Sequence, residues 1–538
     1  MSTAEKMDTT ENAENTYSYD VVPYPSHPFR QTHPERLATV GRLFGIEPAD
    51  INNCRILEIG CAGGGNLIPM ADALPDSTFV GVDLSEFQID GGQKSIEKMG
   101  LKNIELKHLN CMDIDEEFGK FDYIIAHGVF SWVAEEVQEK IFSICNENLE
   151  ENGVAFVSYN TYPGWHMRGM IRDMMQYHVR NFTDPKKRIQ QARAILEFLA
   201  KSVSKDKGAY GMMLNSELEM LRKQTDNYLF HEHLETNNEP VFFHEFISRA
   251  GKHDLQYLGE SVLANMWLGN FPKEIAETLE RVAPDIIQRE QYADFVRNRT
   301  FRQTLLCHKT SKVDRALKLE SLDGAHLIGN LQKNEEEGQE PRTDGKITYV
   351  NPASRQTMTT ADPLVQIAIE KITEAWPKAM AFSEIVEAVQ EKVFAGDALA
   401  EALKIDQMKR SLATNVIHMT VSGIIDLQFC ESRYTLEFSE KPKTSEVARY
   451  QAALTNRLTN ARHESVAVDD LTRHLTPFID GTRTVEELGE KLKELVDNGK
   501  LVIQRKGDKN AEIDVSQVMN QAVNEVLKRL SASALLIE

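Results

Sequence analysis

Three acidic side chains, Glu58, Asp83 and Asp113, each close a short apolar run, and the first opens a loop of unusual composition. In LEIGCAGGGN, residues 57–66, glycine and alanine dominate the turn between an apolar run and an amphipathic segment. Glycine lacks a side chain and tolerates positive φ, so such a turn lets backbone approach a ligand closely. Gly60, Ala62 and Gly65 satisfy a loose G-x-G/A-x-x-G spacing, so the loop alone leaves a nicotinamide or flavin dinucleotide open. The acids argue against it. Glu58 points where a dinucleotide needs its pyrophosphate, and an anion there repels phosphate. Asp83 ends FVGVD, where a carboxylate can accept both hydroxyls of a ribose, and Asp113, in LNCMDI, can accept an adenine amino group. A ribose, an adenine and an amino-acid tail carrying a sulfonium together describe S-adenosylmethionine. For each acid taken singly, a surface carboxylate or a helix cap is the plain alternative.

These acids need strands to carry them. From Arg55, short apolar runs (RILEIG, STFVGVD, NIELKHL, FDYIIAHGV, GVAFVSY) alternate with amphipathic segments, and the runs are too apolar for a sheet wetted on one face. That pattern predicts an α/β fold with a parallel, doubly wound sheet and ligands at the carboxyl ends of its strands. After Tyr159 the periodicity turns helical through residues 166–240, an insertion, and the sheet is expected to resume over 241–310. The tract KNEEEGQEPRTDGK, residues 333–346, is charged and turn-rich, as a solvated loop would be. Residues 311–440 read as three helices and a strand, the pattern of a winged helix, and similar logic recurs over 441–538.

The segment FDYIIAHGVFSWV brings His127, Phe130 and Trp132 to the end of the fourth strand, beside the expected sulfonium. Methyl transfer is an in-line displacement at a carbon already activated by positive sulfur, so a protein chiefly aligns reactants and excludes water. An amine acceptor must be neutral to attack, and a tyrosine or histidine can orient it or take its proton. His127, Trp132, Tyr159 and Asn160 are the catalytic candidates, with Tyr162 beside them. Packing beneath the insertion is the alternative for the aromatic ones.

Composition narrows the partners. With 82 acidic against 61 basic residues in 538, the net charge of -21 disfavours nucleic acid and suits a cationic partner. Six cysteines stand singly, without a C-x-x-C pair, as free thiols of a reducing compartment do. The first residues have no apolar core and about eighteen apolar residues never run together, so a cytoplasmic protein without membrane insertion is expected. His231, Glu232 and His233 invite a metal, but H-x-H on a helix splays its imidazoles and H-E-x-x-H is absent. Few basic residues mark the winged-helix segments MKRSLATNVIHMTVSG and KLVIQRKGDK, so protein contacts are expected of them and not duplex.

The chain resembles the class I methyltransferases, whose E/D-x-G-x-G-x-G loop matches Glu58, Gly60 and Gly64 with Ala62 in place of the middle glycine. The resemblance extends to SYDVVPYPSHPFRQTHPERLATVGRLFG, HGVFSWV, VSYNTYPGWHMRGMIRDMM, YLFHEHLETNNEPVFFHEF and RNRTFRQTLLCH. These are similar to the bacterial methyltransferases with a regulatory domain, among them protein-lysine methyltransferases that modify an outer-membrane surface protein. The resemblance implies a Rossmann-like, mostly parallel seven-stranded core with S-adenosylmethionine as cofactor. It implies that the loop holds the methionine end, Asp83 the ribose and Asp113 the adenine, flanked by Leu84 and Met112, with His127 also lining the cofactor. It further implies a helical insertion that dimerises, winged-helix-like C-terminal domains, and an N-terminal arm (within 1–165) acting as lid, with Tyr24 and His33 its residues to test. Protein lysine is the acceptor it favours; a small-molecule methyltransferase and a non-catalytic cofactor-binding scaffold remain open.

Overall fold

The computed structural model describes residues 26–203, 208–334, 345–393, 398–501 and 515–537. Tyr24 therefore lies outside the described residues, as do most of the 333–346 tract and all of KLVIQRKGDK beyond Leu501. Seven strands form the central sheet: β1 (Arg55–Ile59), β2 (Thr78–Asp83), β3 (Ile104–His108), β4 (Phe121–Ala126), β5 (Leu149–Asn160), β6 (Leu255–Glu260) and β7 (Phe301–His308). Their order is β3-β2-β1-β4-β5-β7-β6. Strands β1 to β5 pair in parallel, while β7 runs antiparallel to both β5 and β6. This is the mostly parallel Rossmann-like sheet expected from the alternation of runs and helices.

Strand parity divides the core. Ile56, Tyr123, Ile125 and Phe156 bury on one face, and Leu57, Ile59, Ile124, Val157 and Tyr159 on the other. The second face is covered by the helices Glu135–Glu147 and Phe243–Lys252, which contribute Ile141, Phe142, Phe246 and Ala250. The first face is covered in part from far along the chain. Its apolar cluster runs without a break through Leu37 and Val40 of the helix Pro34–Leu43 into Leu327, Val365, Ile369, Leu412 and Leu427 of the middle region.

That middle region holds the helices Pro363–Ala375, Phe382–Val393 and Ala398–Val421 with a small sheet of Met380–Ala381, His326–Ile328 and Asp426–Gln428. The C-terminal region joins the helices Glu446–Leu454, Asp470–Leu475, Val485–Asp497 and Val515–Ala532 to a hairpin, Arg457–Thr459 with Ser465–Ala467, around its own apolar cluster. Between β5 and β6 the insertion packs the helices Gly164–Val179, Pro185–Ser202 and Ala209–Arg222 around a separate core.

At the antiparallel edge Arg302 of β7, fully buried, donates to Glu260 at 2.7 Å, to both oxygens of Asp294 at 2.8 and 2.9 Å and to Glu290 at 3.1 Å. The Phe243 ring lies 3.8 Å from its guanidinium carbon. Removing one partner of a buried charge cluster strands the others in a medium that cannot solvate them. Arg302→Ala is accordingly expected to destabilise the fold by about 3–5 kcal/mol, seen as a lowered melting temperature in circular dichroism.

Candidate functional site

Strand order reverses between β1 and β4, and there, at the carboxyl ends, lies a cavity of about 350 Å³. The loop after β1 is built by its glycines. Gly60 has φ +73°, and a Cβ on it would come within 2.3 Å of Val129. Gly64 (φ +74°) does not line the cavity; a Cβ there would meet Leu106 of β3 at 2.9 Å, so this glycine serves the packing of loop on sheet. Ala62, in the cavity wall, adopts φ +49° despite its Cβ. Asp83 stabilises that conformation. One of its oxygens accepts the Ala62 amide at 2.8 Å and the other the Ser85 amide at 2.9 Å, while the carboxylate lines the cavity beside the exposed side chain of Leu84.

Glu58 is 3% exposed and lines the same cavity. Asn66 donates to its Oε1 at 2.8 Å, whereas Oε2 is buried and makes no hydrogen bond among the described residues. Burial pushes this carboxyl up to about 8, the Asn66 bond opposing the rise. A buried carboxylate with one unsatisfied oxygen facing a cavity fits the cationic end of an S-adenosylmethionine molecule. His127 forms another part of the wall. Its Nδ1 pairs with Ser158 Oγ at 2.8 Å, that hydroxyl oxygen accepts the Gly128 amide at 2.8 Å, and burial holds the ring down at about 4. The imidazole is thus neutral near pH 7 and adds no charge that would repel a sulfonium.

Trp132 and Asn160 also line the cavity. Asn160 is fixed by the Ser131 hydroxyl, which accepts its amide at 2.8 Å, and by its own side-chain donation to Asn238 at 2.9 Å. Tyr159, one position earlier on β5, faces the opposite side of the sheet. It is 1% exposed, stacks on Phe246 at 3.9 Å and shares a hydrogen bond with Thr304 at 3.1 Å, and it is absent from the cavity lining. Tyr162 stacks on His166 and meets the Phe242 ring at a tilt, outside the lining.

Two further corrections follow from local geometry. Beyond β3 the chain enters a 3₁₀ turn, Cys111–Asp113, capped by the Asn110 side chain, and this turn exposes Met112 and Asp113; Asn110 and Cys111 line the cavity in their place. His33 is also absent from the lining. Its ring caps the helix Pro34–Leu43 by accepting the Glu35 amide and lies 5.2 Å from the ring of His463, in the C-terminal region.

Several further residues line the cavity. Phe29, from the quoted N-terminal arm, packs edge-on against His127 with ring centres 4.2 Å apart. Phe301 lies opposite Asn160 in the β5–β7 register. His231 and Glu232 reach the cavity from the insertion, where the chain makes a π turn over Phe230–Leu234. Such turns re-aim side chains that a regular helix sends elsewhere.

Three family models match the chain: a methyltransferase domain over residues 57–155, a predicted methyltransferase regulatory domain over 225–308, and the PKMT C-terminal winged helix domain over 440–535. An uncharacterized protein of Rickettsia prowazekii (strain Madrid E) is 38% identical over 526 residues, 96% of this chain and 93% of that one. The solved structure of PKMT2 from Rickettsia typhi matches with a TM-score of 0.84 at 31% identity, covering 96% of this chain and 100% of that one. The same protein in complex with AdoHcy matches at 0.83.

Protonation of Glu58 yields a test. A carboxyl raised in the fold contributes stability that is complete below its unfolded value, near 4.5, and is lost as pH rises through about 8. At pH 8 Glu58→Gln is therefore expected to raise the melting temperature of the ligand-free protein, by roughly a few degrees. Calorimetry with S-adenosylhomocysteine should show the same variant binding more weakly, and the rise in wild-type affinity between pH 6 and 8 should vanish.

Proposed function

This chain belongs to the class I S-adenosylmethionine-dependent methyltransferases with a regulatory domain and a PKMT winged helix, and on that premise we propose that its acceptor is the ε-amine of protein lysine. It is a methyltransferase whose cofactor is S-adenosylmethionine. The observation that carries the lysine assignment is a second carboxylate: Glu232, on the insertion's side of the cavity, alongside Trp132 and Phe301. Burial raises the Glu232 carboxyl above the ordinary range, against the opposing pull of Arg168, and so makes it a stronger base. Aromatic faces welcome an ammonium, methylated or not, and a carboxylate beside them attracts it.

When bound, S-adenosylmethionine supplies a methyl group on a positively charged sulfur. Glu58 holds the cationic end of that molecule, Asp83 accepts from ribose hydroxyls, and Leu84 with Asn110 and Cys111 bounds the base. Phe29, His127 and Phe301 exclude water from the reacting region. Glu232 receives the proton that the lysine ammonium must lose before its nitrogen can attack, and Asn160 orients the amine.

The charge of -21 supports a lysine-rich protein substrate, and the resemblance to enzymes acting on outer-membrane proteins points to a bacterial surface or envelope protein. The free cysteines support a cytoplasmic site of action. Tyr177, Phe198 and Met212, each more than half exposed on the insertion, support a homodimer built through it. Incubation with labelled S-adenosylmethionine and candidate envelope proteins, followed by mass spectrometry, is expected to find added methyl groups on lysine; label confined to small molecules would transfer the assignment to a metabolite methyltransferase. Glu232→Gln is expected to lower kcat/KM by about 100-fold while calorimetry finds cofactor affinity unchanged.

A further inference from the structure

One amide joins three distant parts of the chain at the edge of the cofactor cavity. Asn66 Oδ1 accepts the Phe29 backbone amide at 2.9 Å, and because a backbone N–H can only donate, this fixes which end of the amide is oxygen. Its Nδ2 then donates to Glu58 Oε1 at 2.8 Å and to Thr32 Oγ1 at 2.9 Å, using both hydrogens. The second group assigned to Oδ1 is Nε2 of His463, 2.8 Å away, which must therefore carry its proton. His463 occupies the turn of the C-terminal hairpin, 4% exposed and at φ +59°, a backbone region that only a fixed surrounding holds for a non-glycine residue.

The same region grips the cavity's supporting helices. Asp72 of the helix Leu67–Ala73, which follows the glycine loop, accepts the Val447 amide at 3.0 Å, and Ser95 of the helix Glu86–Met99, which follows Asp83, pairs with the Tyr450 hydroxyl at 3.0 Å. Glu464, next to His463, meets Arg30 of the N-terminal arm at 3.4 Å.

We propose that His463 is a positioning residue of the cofactor site: by donating to Asn66 it orients the amide that holds Glu58, so that docking of the C-terminal winged helix and binding of S-adenosylmethionine are coupled. Coupling of this kind is reciprocal, so cofactor must tighten the hairpin as the hairpin tightens cofactor. The proposal needs only the nucleoside ligand. It stands or falls separately from the lysine assignment.

Hydrogen exchange on the wild-type protein tests one direction. Saturating S-adenosylhomocysteine is expected to slow exchange of the amides in residues 457–467 several-fold, and unchanged exchange there overturns the proposal. Calorimetry tests the other. His463→Ala is expected to weaken S-adenosylhomocysteine about tenfold, while His463→Gln, which keeps an N–H donor at similar reach, recovers most of that loss. Equal dissociation constants for the two folded variants would refute a route through the hydrogen bond. Should His463→Ala fail to fold, the wild-type exchange result alone decides.

Discussion

A carboxylate kept out of water beside a glycine loop is the constraint around which this molecule is arranged. Glu58 ends β1, is almost wholly buried, and has one donor where a solvated carboxylate would have several. Its charge is costly until a cation arrives, so the ligand-free site is close to neutral and becomes an ion pair on binding. Asn66 is the other half of that arrangement. Every hydrogen-bonding group on its amide is used, and the partners come from the N-terminal arm, the end of β1 and the C-terminal hairpin.

Topology accounts for the division of labour within the cavity. The nucleoside side is made by loops after β1, β2 and β3, all in the parallel part of the sheet. The side proposed here for the acceptor is made where β5 ends, and this is where the insertion leaves the sheet and brings Glu232 back to the cavity. Phe301 opens β7, next to the buried Arg302 cluster, so this wall of the cavity rests on a heavily cross-linked polar cluster at the sheet edge.

Much of this was legible from residue order. Apolar runs alternating with helices defined the sheet, and the ends of β1 and β2 put Glu58 and Asp83 in the cavity as expected. The misses have physical causes. Tyr159 and Asn160 are neighbours in sequence, but a strand sends them to opposite faces, and the polar residue with the reach belongs to the even position. Asp113 and Met112 do lie just past β3, but a 3₁₀ turn there exposes them. The reach of Glu232 into the cavity depends on a π turn and the place of His33 on His463 in another domain, and no local pattern announces either position. Tyr24 lies outside the described residues.

The unbroken apolar cluster that links one face of the sheet to the middle region carries a consequence for biosynthesis. A chain leaving the ribosome completes every strand of the catalytic sheet at His308, yet Leu327, Val365, Leu412 and Leu427, which complete that cluster, have still to emerge. Until they do, part of an oily surface has no lasting cover, and a nascent chain in that interval is a client for whatever shields exposed apolar surface in the cell. The smallest piece able to mature by itself is therefore larger than the piece that performs the chemistry.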